Sequence, residues 1–251
     1  SGAADIGTGL DTVMAKCAAE VLCVPYTQVT VMSGDTDHTP FDTGAYASSG
    51  TFFSGNAARL AAEDMKKKKL EKAAEYLDEP VEDLELAYPA TVKGKKGEIS
   101  YAQIAYNTTT GHGSGQLQGI GSFVTESHAI PYGAYFAEVG VNTRTGHVDV
   151  RKFYALQDCG TPINPELAEG QVFGGVLKSI GHSLYEGIIL DKNGKPLNDN
   201  LLDYNPPTIY DLPKDFQAPM VFTDDPDGPY GGKSISELAT NGAAPAMSTP
   251  T

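Results

Sequence analysis

The sequence predicts an α+β fold, with mixed sheets and packed helices, on three observations. Apolar residues recur at helical spacing in some stretches and alternate in others. Strands and helices mix without the regular βαβ rhythm of a doubly wound sheet. Hydrophobic residues make up 40% of the 251 and charged residues 20%, the balance of a soluble globular chain with apolar surface for one large or two small cores.

Leu10, Val13, Met14, Cys17, Ala18, Val21 and Leu22 lie on one stripe of a helix that Pro25 stops. Residues 28–32, with β-branched Val29, Thr30 and Val31, read as a strand. A polar loop, 33–51, leads into a second helix over about 52–77. Residues 84–92 and Ile99 bracket Lys93-Gly94-Lys95-Lys96-Gly97, a predicted hairpin. Ser100 and Gln103 form a capping-box pattern for a short helix. Residues 107–121 are rich in glycine and threonine, and the boundary between two α+β lobes is placed there. The lobes are 1–107 and 108–251, the second carrying the Glu237 segment.

Tyr135, Ala137, Val139 and Val141 alternate, and the turn Thr143-Arg144-Thr145-Gly146 leads into Val148 and Val150, a hairpin with one buried face. Asn164-Pro165 supplies an N-cap and a first helical residue. The helix beyond carries Gly170, Gly174, Gly175 and Gly181. Each costs about 1 kcal/mol relative to alanine, so something approaches that backbone closely, either a ligand or another helix. Asn193-Gly194 is a hairpin turn. After Leu201 the chain is proline-rich and irregular, with a strand at 220–223.

A net charge of −14 excludes a nucleic-acid partner, whose phosphates need lysine and arginine. The basic run Lys66 to Lys69 reads as a solvated helix face. No apolar run is long enough to span a bilayer, and no basic-then-apolar leader is present. The first nine residues already read as motif, so the start is expected to be an internal cut. Cys17, Cys23 and Cys159 make neither a disulfide framework nor a CxxC pair. A reducing, cytoplasmic setting follows. Cys17 falls on the apolar helix face and reads as a buried structural thiol. Histidines 38, 112, 128, 147 and 182 show no metal-binding spacing, and no metal-ligating residue is assigned.

Three constellations carry chemistry. The loop from Gly34 to Thr51 brings Ala47, Ser48, Ser49, Gly50 and Thr51 directly to a helix start, where N–H groups and hydroxyls suit an anion or a polar ring edge. Asp158-Cys159-Gly160 runs through Asn164-Pro165 to Gln171, whose amide offers a donor and an acceptor to a heterocyclic edge. Gly231-Gly232-Lys233-Ser234-Ile235-Ser236-Glu237 delivers one carboxylate among small apolar residues. Such a setting can desolvate a carboxylate for general-base work, or Glu237 is a solvated residue near a chain end. Gly232-Lys233-Ser234 also imitates a phosphate-binding loop. There, Asp227 stands where the first glycine belongs, Pro229 intrudes, and no crossover helix follows.

Taken in order, these segments resemble the C-terminal part of the molybdenum-cofactor subunit of the xanthine dehydrogenase and aldehyde oxidase family. Ala4-Asp5-Ile6-Gly7-Thr8-Gly9-Leu10-Asp11-Thr12-Val13 is similar to the family's glycine turn and helix near the pterin. The loop through Ser48-Ser49-Gly50-Thr51 is similar to its second pterin-dinucleotide loop, and 158–171 to its third contact. Leu202-Asp203-Tyr204 through Pro213 is also similar, and Lys233-Ser234-Ile235-Ser236-Glu237 resembles the segment with the catalytic glutamate. Thr8 stands where many members have glutamine and Ser236 where many have glycine. The latter variant resembles the selenium-dependent purine and nicotinate hydroxylases. The first half of the usual molybdenum region, with its glycine-rich segment, has no counterpart in this sequence.

The resemblance implies the fold of the C-terminal half of a molybdopterin-binding domain. It implies hydroxylation of an N-heterocycle, a xanthine- or hypoxanthine-like purine or nicotinate, with water as the oxygen source and Glu237 as general base. Gly7, Thr8, Gly9, Ala47, Ser48, Ser49, Gly50, Thr51, Gln171 and Ser236 would bind molybdopterin, in its cytosine dinucleotide form, with molybdenum. FAD and [2Fe-2S] groups, and the rest of the molybdenum region, would lie on other segments or subunits of an oligomeric complex. A non-catalytic module that keeps the molybdopterin-binding fold is the alternative, and a phosphate-loop protein the third.

Overall fold

The predicted stripe becomes the buried face of helix α1 (Leu10–Leu22) in a computed structural model, which describes residues 1–110 and 115–248. The chain divides into two units, 1–128 with 227–229 and 129–226 with 230–251. In the first unit Cys17 is fully buried, and Leu10 and Met14 form a small core with Ala3, Val31 and Ala58. Cys23 ends α1 in the left-handed region, two residues before Pro25. Helix α2 (Asn56–Leu77) is entered through a π-helical turn, Thr51–Gly55. At that junction the fully buried Asn56 donates to the carbonyls of Phe52 (3.0 Å), within the widened turn, and Asp227 (2.8 Å), which ties the turn to the 227–229 segment of the same unit.

The far end of α2 packs on a small antiparallel sheet, β1 (Glu85–Ala87), β2 (Thr91–Lys93) and β3 (Glu98–Ser100), and on α3 (Tyr101–Thr110). Ala73, Leu84, Val92, Ile99 and Ile104 are its core. The buried carboxylate of Glu79 accepts the N–H groups of Lys95 (2.7 Å) and Lys96 (2.6 Å), which closes the predicted β2–β3 hairpin. Ser100 Oγ accepts from Gln103 N (3.2 Å), as the capping pattern requires. The segment after α3 packs onto α2. A Cβ at Gly119 or Gly121 would overlap the backbone of Ala61, and Ile120 N donates to Asp64 Oδ2 (2.9 Å). These contacts carry the first unit to residue 128, past the loop at which the sequence boundary is placed. Residues 111–114 of that loop, His112 among them, and 249–251 lie outside the described residues.

In the second unit β4 (Tyr132–Val141) and β5 (Val148–Asp158) form the predicted hairpin, and β6 (Asp215–Gln217) joins β5 in parallel. Helices α4 (Pro165–Leu184) and α5 (Glu237–Ser248) complete the core. Phe153 and Ala155 from β5 meet Val172, Val176 and Ile180 from α4 and Ala239, Ala243 and Met247 from α5, each helix contributing one face at four-residue spacing.

Three expectations are corrected here. Residues 28–32 form no strand: Tyr26–Gln28 is a 3-10 turn and the rest is irregular. Their β-branched side chains lack a neighbouring strand, and propensity without pairing does not make a sheet. The strand expected at 220–223 reduces to one bridge between Gln157 and Met220, and β6 lies earlier. The tail is not irregular throughout, because α5 forms despite Gly242 and the interior Pro245. Burial of Ala239, Ala243 and Met247 outweighs the low propensity of those two residues.

Candidate active site

In the first unit one carboxylate builds the opening turn. Asp5 Oδ1 accepts the N–H groups of Gly7 (2.8 Å), Thr8 (3.0 Å) and Gly9 (3.2 Å), and Oδ2 that of Asp11 (3.3 Å). Positive φ at Gly7 (93°) and Gly9 (79°) lets these donors converge. Partial burial pushes the Asp5 carboxyl up, but the donors Gly7, Asp11, Gly9 and Thr8 outweigh it and hold it below the usual range. The turn's N–H groups are committed inward to Asp5, and the Gly9 carbonyl accepts from Val13 N (3.1 Å) at the start of α1. Asp11 Oδ1 is buried with no partner among the described residues.

Leu10 lies against the second loop, since a Cβ at Gly50 would sit 3.5 Å from its side chain. The opening turn and the 48–51 segment are therefore neighbours within this unit. Ala47 and Ser48 are both left-handed, at φ 54° and 52°, which costs roughly 1–2 kcal/mol each for a residue with a Cβ. They stand directly before Ser49, Gly50 and Thr51, where helical backbone begins. Ser49 O accepts the first such bond, from Phe53 N (3.0 Å). Strain at the mouth of a helix N-terminus is where an anion or polar ring edge is bound in many folds.

In the second unit the 158–171 and 231–237 motifs come together. Asp158 Oδ1 accepts from Gly160 N (2.9 Å) and the Thr223 hydroxyl (2.7 Å), and Oδ2 from Lys233 Nζ (2.9 Å). The Lys233 and Asp158 side chains are only 9% and 12% exposed. Lys233 N donates to Cys159 O and Thr161 N to Gly231 O, both at 2.8 Å. A Cβ at Gly160 would overlap the Gly231 carbonyl, so glycine permits this approach. Burial pushes the Asp158 carboxyl up. The Thr223 hydroxyl, the Lys233 amine and the Gly160 N–H, with the lysine charge, hold it below the usual range. The Lys233 amine is thus enclosed and paired, and the phosphate-loop alternative, which needs it presented to a ligand, has no support.

Gln171 lies half-buried on α4. A Cβ at Gly170 or Gly174 would meet nothing within 4 Å, so the backbone beside Gln171 borders open space. Gly175 and Gly181 are the packed pair: a Cβ at 175 would lie 2.6 Å from that of Ala239, and one at 181 would overlap Glu186 and crowd Pro207. Gly175 also approaches Thr240. Gln171 is about one turn from this crossing along α4, and Glu237 is less than one turn from it along α5.

Glu237 is the first residue of α5 and is exposed; Ser236, just before it, is half-buried. Of the two settings the sequence left open for Glu237, enclosure among small apolar residues or a solvated position, the structure shows the solvated one. The helix period turns Ala239, Ala243 and Met247 to the core and leaves residue 237 on another face. Tyr135, noted in the sequence only for its place in an alternating strand, reaches this helix start, and Gln157, which the sequence did not single out, reaches Tyr135. Tyr135 OH donates to Leu238 O (2.6 Å) and accepts from Gln157 Nε2 (2.7 Å). A glutamine in phase with Phe153 and Ala155 was the available signal, and the structure buries it fully on β5.

The chain matches a family model described as a molybdopterin cofactor-binding domain over residues 1–213. It is 60% identical over 249 residues to the probable hypoxanthine oxidase XdhD of Escherichia coli (strain K12), covering 99% of this chain and 26% of that protein. It is 37% identical over 246 residues to the putative xanthine dehydrogenase molybdenum-binding subunit XdhA of the same strain, covering 94% and 32%. Quinoline 2-oxidoreductase from Pseudomonas putida 86 superposes with a TM-score of 0.85 at 31% identity, over 97% of this chain and 32% of that one. The chain spans 26% and 32% of the length of these two curated relatives.

Proposed function

Because the chain belongs to the molybdopterin cofactor-binding domain family, we propose that it forms part of a xanthine dehydrogenase-type molybdenum hydroxylase, with Glu237 as general base. Its named relatives are a probable hypoxanthine oxidase and a putative xanthine dehydrogenase molybdenum-binding subunit, and we take the substrate class to be an N-heterocycle, a purine or nicotinate. One observation supports the reading furthest: α4 and α5 cross at Gly175 and Ala239, four residues along α4 from Gln171 and two along α5 from Glu237.

The residues fit the cofactor. Asp11 keeps a buried acceptor without a partner, suited to an N–H of a pterin. Ala47 and Ser48 keep a strained backbone before a helix start, suited to a phosphate or ring edge. Gly170 and Gly174 leave space that any Cβ would occupy. We assign Ser48, Ser49, Gly50, Thr51, Gln171 and Ser236 to hydrogen bonds with the cofactor, and Gly7, Thr8, Gly9 and Ala47 to its surroundings. We extend the assignment to the cytosine dinucleotide form on the resemblance of the 34–51 loop. When bound, molybdenum–molybdopterin would supply an electron-accepting centre for hydroxylation of an electron-poor carbon with oxygen from water. Glu237 Oε atoms take up the proton released as that oxygen is delivered, and Gln171 orients the cofactor through its amide.

We place the FAD and [2Fe-2S] groups on other segments or subunits of an oligomeric complex. Three free cysteines support a reducing, cytoplasmic setting. Among the described residues no helix is long and apolar enough to cross a membrane. A second reading, a module that keeps the fold without taking part in chemistry, draws on the exposure of Glu237. Glu237→Gln in the full-length protein separates the two. On the enzyme reading molybdenum content is kept and turnover falls about 10²–10⁴-fold. Near-normal turnover overturns it.

A further inference from the structure

Tyr135 reaches from β4 to the first turn of α5. A Cβ at Gly242 would overlap its ring, so the ring lies against the helix backbone one turn beyond Leu238. Its hydroxyl donates to Leu238 O at 2.6 Å. A carbonyl only accepts, so the single hydroxyl proton is spent there. The second bond to that oxygen, from Gln157 at 2.7 Å, must then come from the amide nitrogen. This fixes the Gln157 amide and leaves its Oε1 buried without a partner among the described residues. Gln157 is fully enclosed on β5. An apolar residue there would avoid the orphaned acceptor, so packing does not account for the glutamine. Burial pushes the Tyr135 hydroxyl above its ordinary range, against the bond from Gln157, and keeps it a donor.

Leu238 directly follows Glu237. From this geometry we infer that Tyr135, oriented by Gln157, is a positioning residue that sets the first turn of α5 and thereby the direction of the Glu237 carboxylate. The inference rests on the reading of Glu237 as general base. Tyr135 acts through the backbone of the next residue, and its hydroxyl is already shared between Leu238 and Gln157.

The test uses the full-length, metal-loaded protein. Tyr135→Phe keeps the ring and removes one oxygen. The expected result is a fall in kcat of about tenfold or more, since small misplacements of a reacting group cost up to about 10²-fold. KM and molybdenum content stay within about twofold, because the loss is in the reacting geometry and not in uniform binding. Backbone hydrogen exchange over 236–242 becomes faster, while α1 in the other unit is unchanged. In a Glu237→Gln background Tyr135→Phe causes no further loss, as two residues acting as one unit require. Gln157→Met removes the donor and the orphaned acceptor together. It lowers kcat in the same way without lowering thermal stability, and it decides the matter if Tyr135→Phe folds poorly. Normal turnover in both variants, additive loss in the double variant, or unchanged exchange over 236–242 overturns the positioning role. If Glu237→Gln itself turns over normally, the general-base reading falls and this inference with it. If Glu237→Gln is inactive and Tyr135→Phe is normal, only this inference falls.

Discussion

Replacing Asp158 by asparagine leaves the charge of Lys233 enclosed without its counter-ion. The pair is 2.9 Å apart with both side chains nearly buried, and breaking such a pair from one side costs about 3–5 kcal/mol. Asparagine keeps an oxygen for Gly160 N and the Thr223 hydroxyl, which points to the low end, about 3 kcal/mol. At about 1.4 kcal/mol per tenfold, local opening becomes about a hundredfold more frequent. The amides of Lys233 and Thr161 report it, because they bond Cys159 O and Gly231 O across the two segments. Hydrogen exchange followed by mass spectrometry on the full-length protein reads both. Adding Lys233→Met to Asp158→Asn removes the stranded charge and restores most of the protection. A rise below about threefold, or a double variant no better protected than the single, would refute the reasoning. The pH dependence has a fixed sign. Asp158 titrates lower in the folded chain than in the unfolded one. Its contribution is complete above the unfolded carboxyl value of about 3.9 and is lost as pH falls below it through the folded value. After correction for intrinsic rates, exchange at these amides is flat down to about pH 4 and rises below.

The neighbouring glycines of α4 give opposite signs. Gly174→Ala stabilises the chain by about 1 kcal/mol through helix propensity, because its Cβ meets nothing. If the cofactor occupies that space, molybdenum content falls in the same variant, measured by elemental analysis beside thermal unfolding. Gly175→Ala instead pushes α5 away at Ala239 and lowers stability in the same unfolding experiment. Burial pushes the Cys17 thiol up to about 12, so the folded protein leaves it unlabelled by iodoacetamide at pH 8 while the unfolded chain is labelled. Only the unfolded chain releases that proton between the ordinary thiol range and about 12, so stability from this group is present below that range and is lost as pH rises through it.

What could be read from residues was local. The stripe of α1, the Asn164-Pro165 start of α4, the Ser100 cap and the β4–β5 hairpin each depend on neighbours in sequence, and each formed. The strand expected at 28–32 needed a partner that the chain does not supply there. Helix α5 carries Gly242 and Pro245, and only its contacts with α4 and β4 explain why it forms. The candidate site divides the same way. Gln171 and Glu237 stood out by type and setting. The Asp158–Lys233 pair spans 75 residues and the Tyr135–Leu238 bond 103, distances over which pattern alone says nothing. Lys233 was visible as part of an imitation phosphate loop and of the segment before Glu237, and Asp158 as the head of the 158–171 segment, but nothing in either pattern paired them.

The exposure of Glu237 and the rigidity around it have one origin. On the proposed reading of Glu237 as general base, its carboxylate must be reachable by its proton donor and yet hold its direction closely. On α5 the helix period divides these demands. Ala239, Ala243 and Met247 commit one face to the core, and Gly242 lets the Tyr135 ring and hydroxyl grip the backbone without occupying the face of residue 237. Upstream, Lys233 is locked to Asp158 and Cys159 four residues before the glutamate. The segment between those anchors is too short to wander, since four residues reach at most about 14 Å even when extended. A carboxylate made rigid by its own burial would be held but unreachable. Here the burial falls on its neighbours, and that is the arrangement the sequence pattern of small residues after Glu237 encodes.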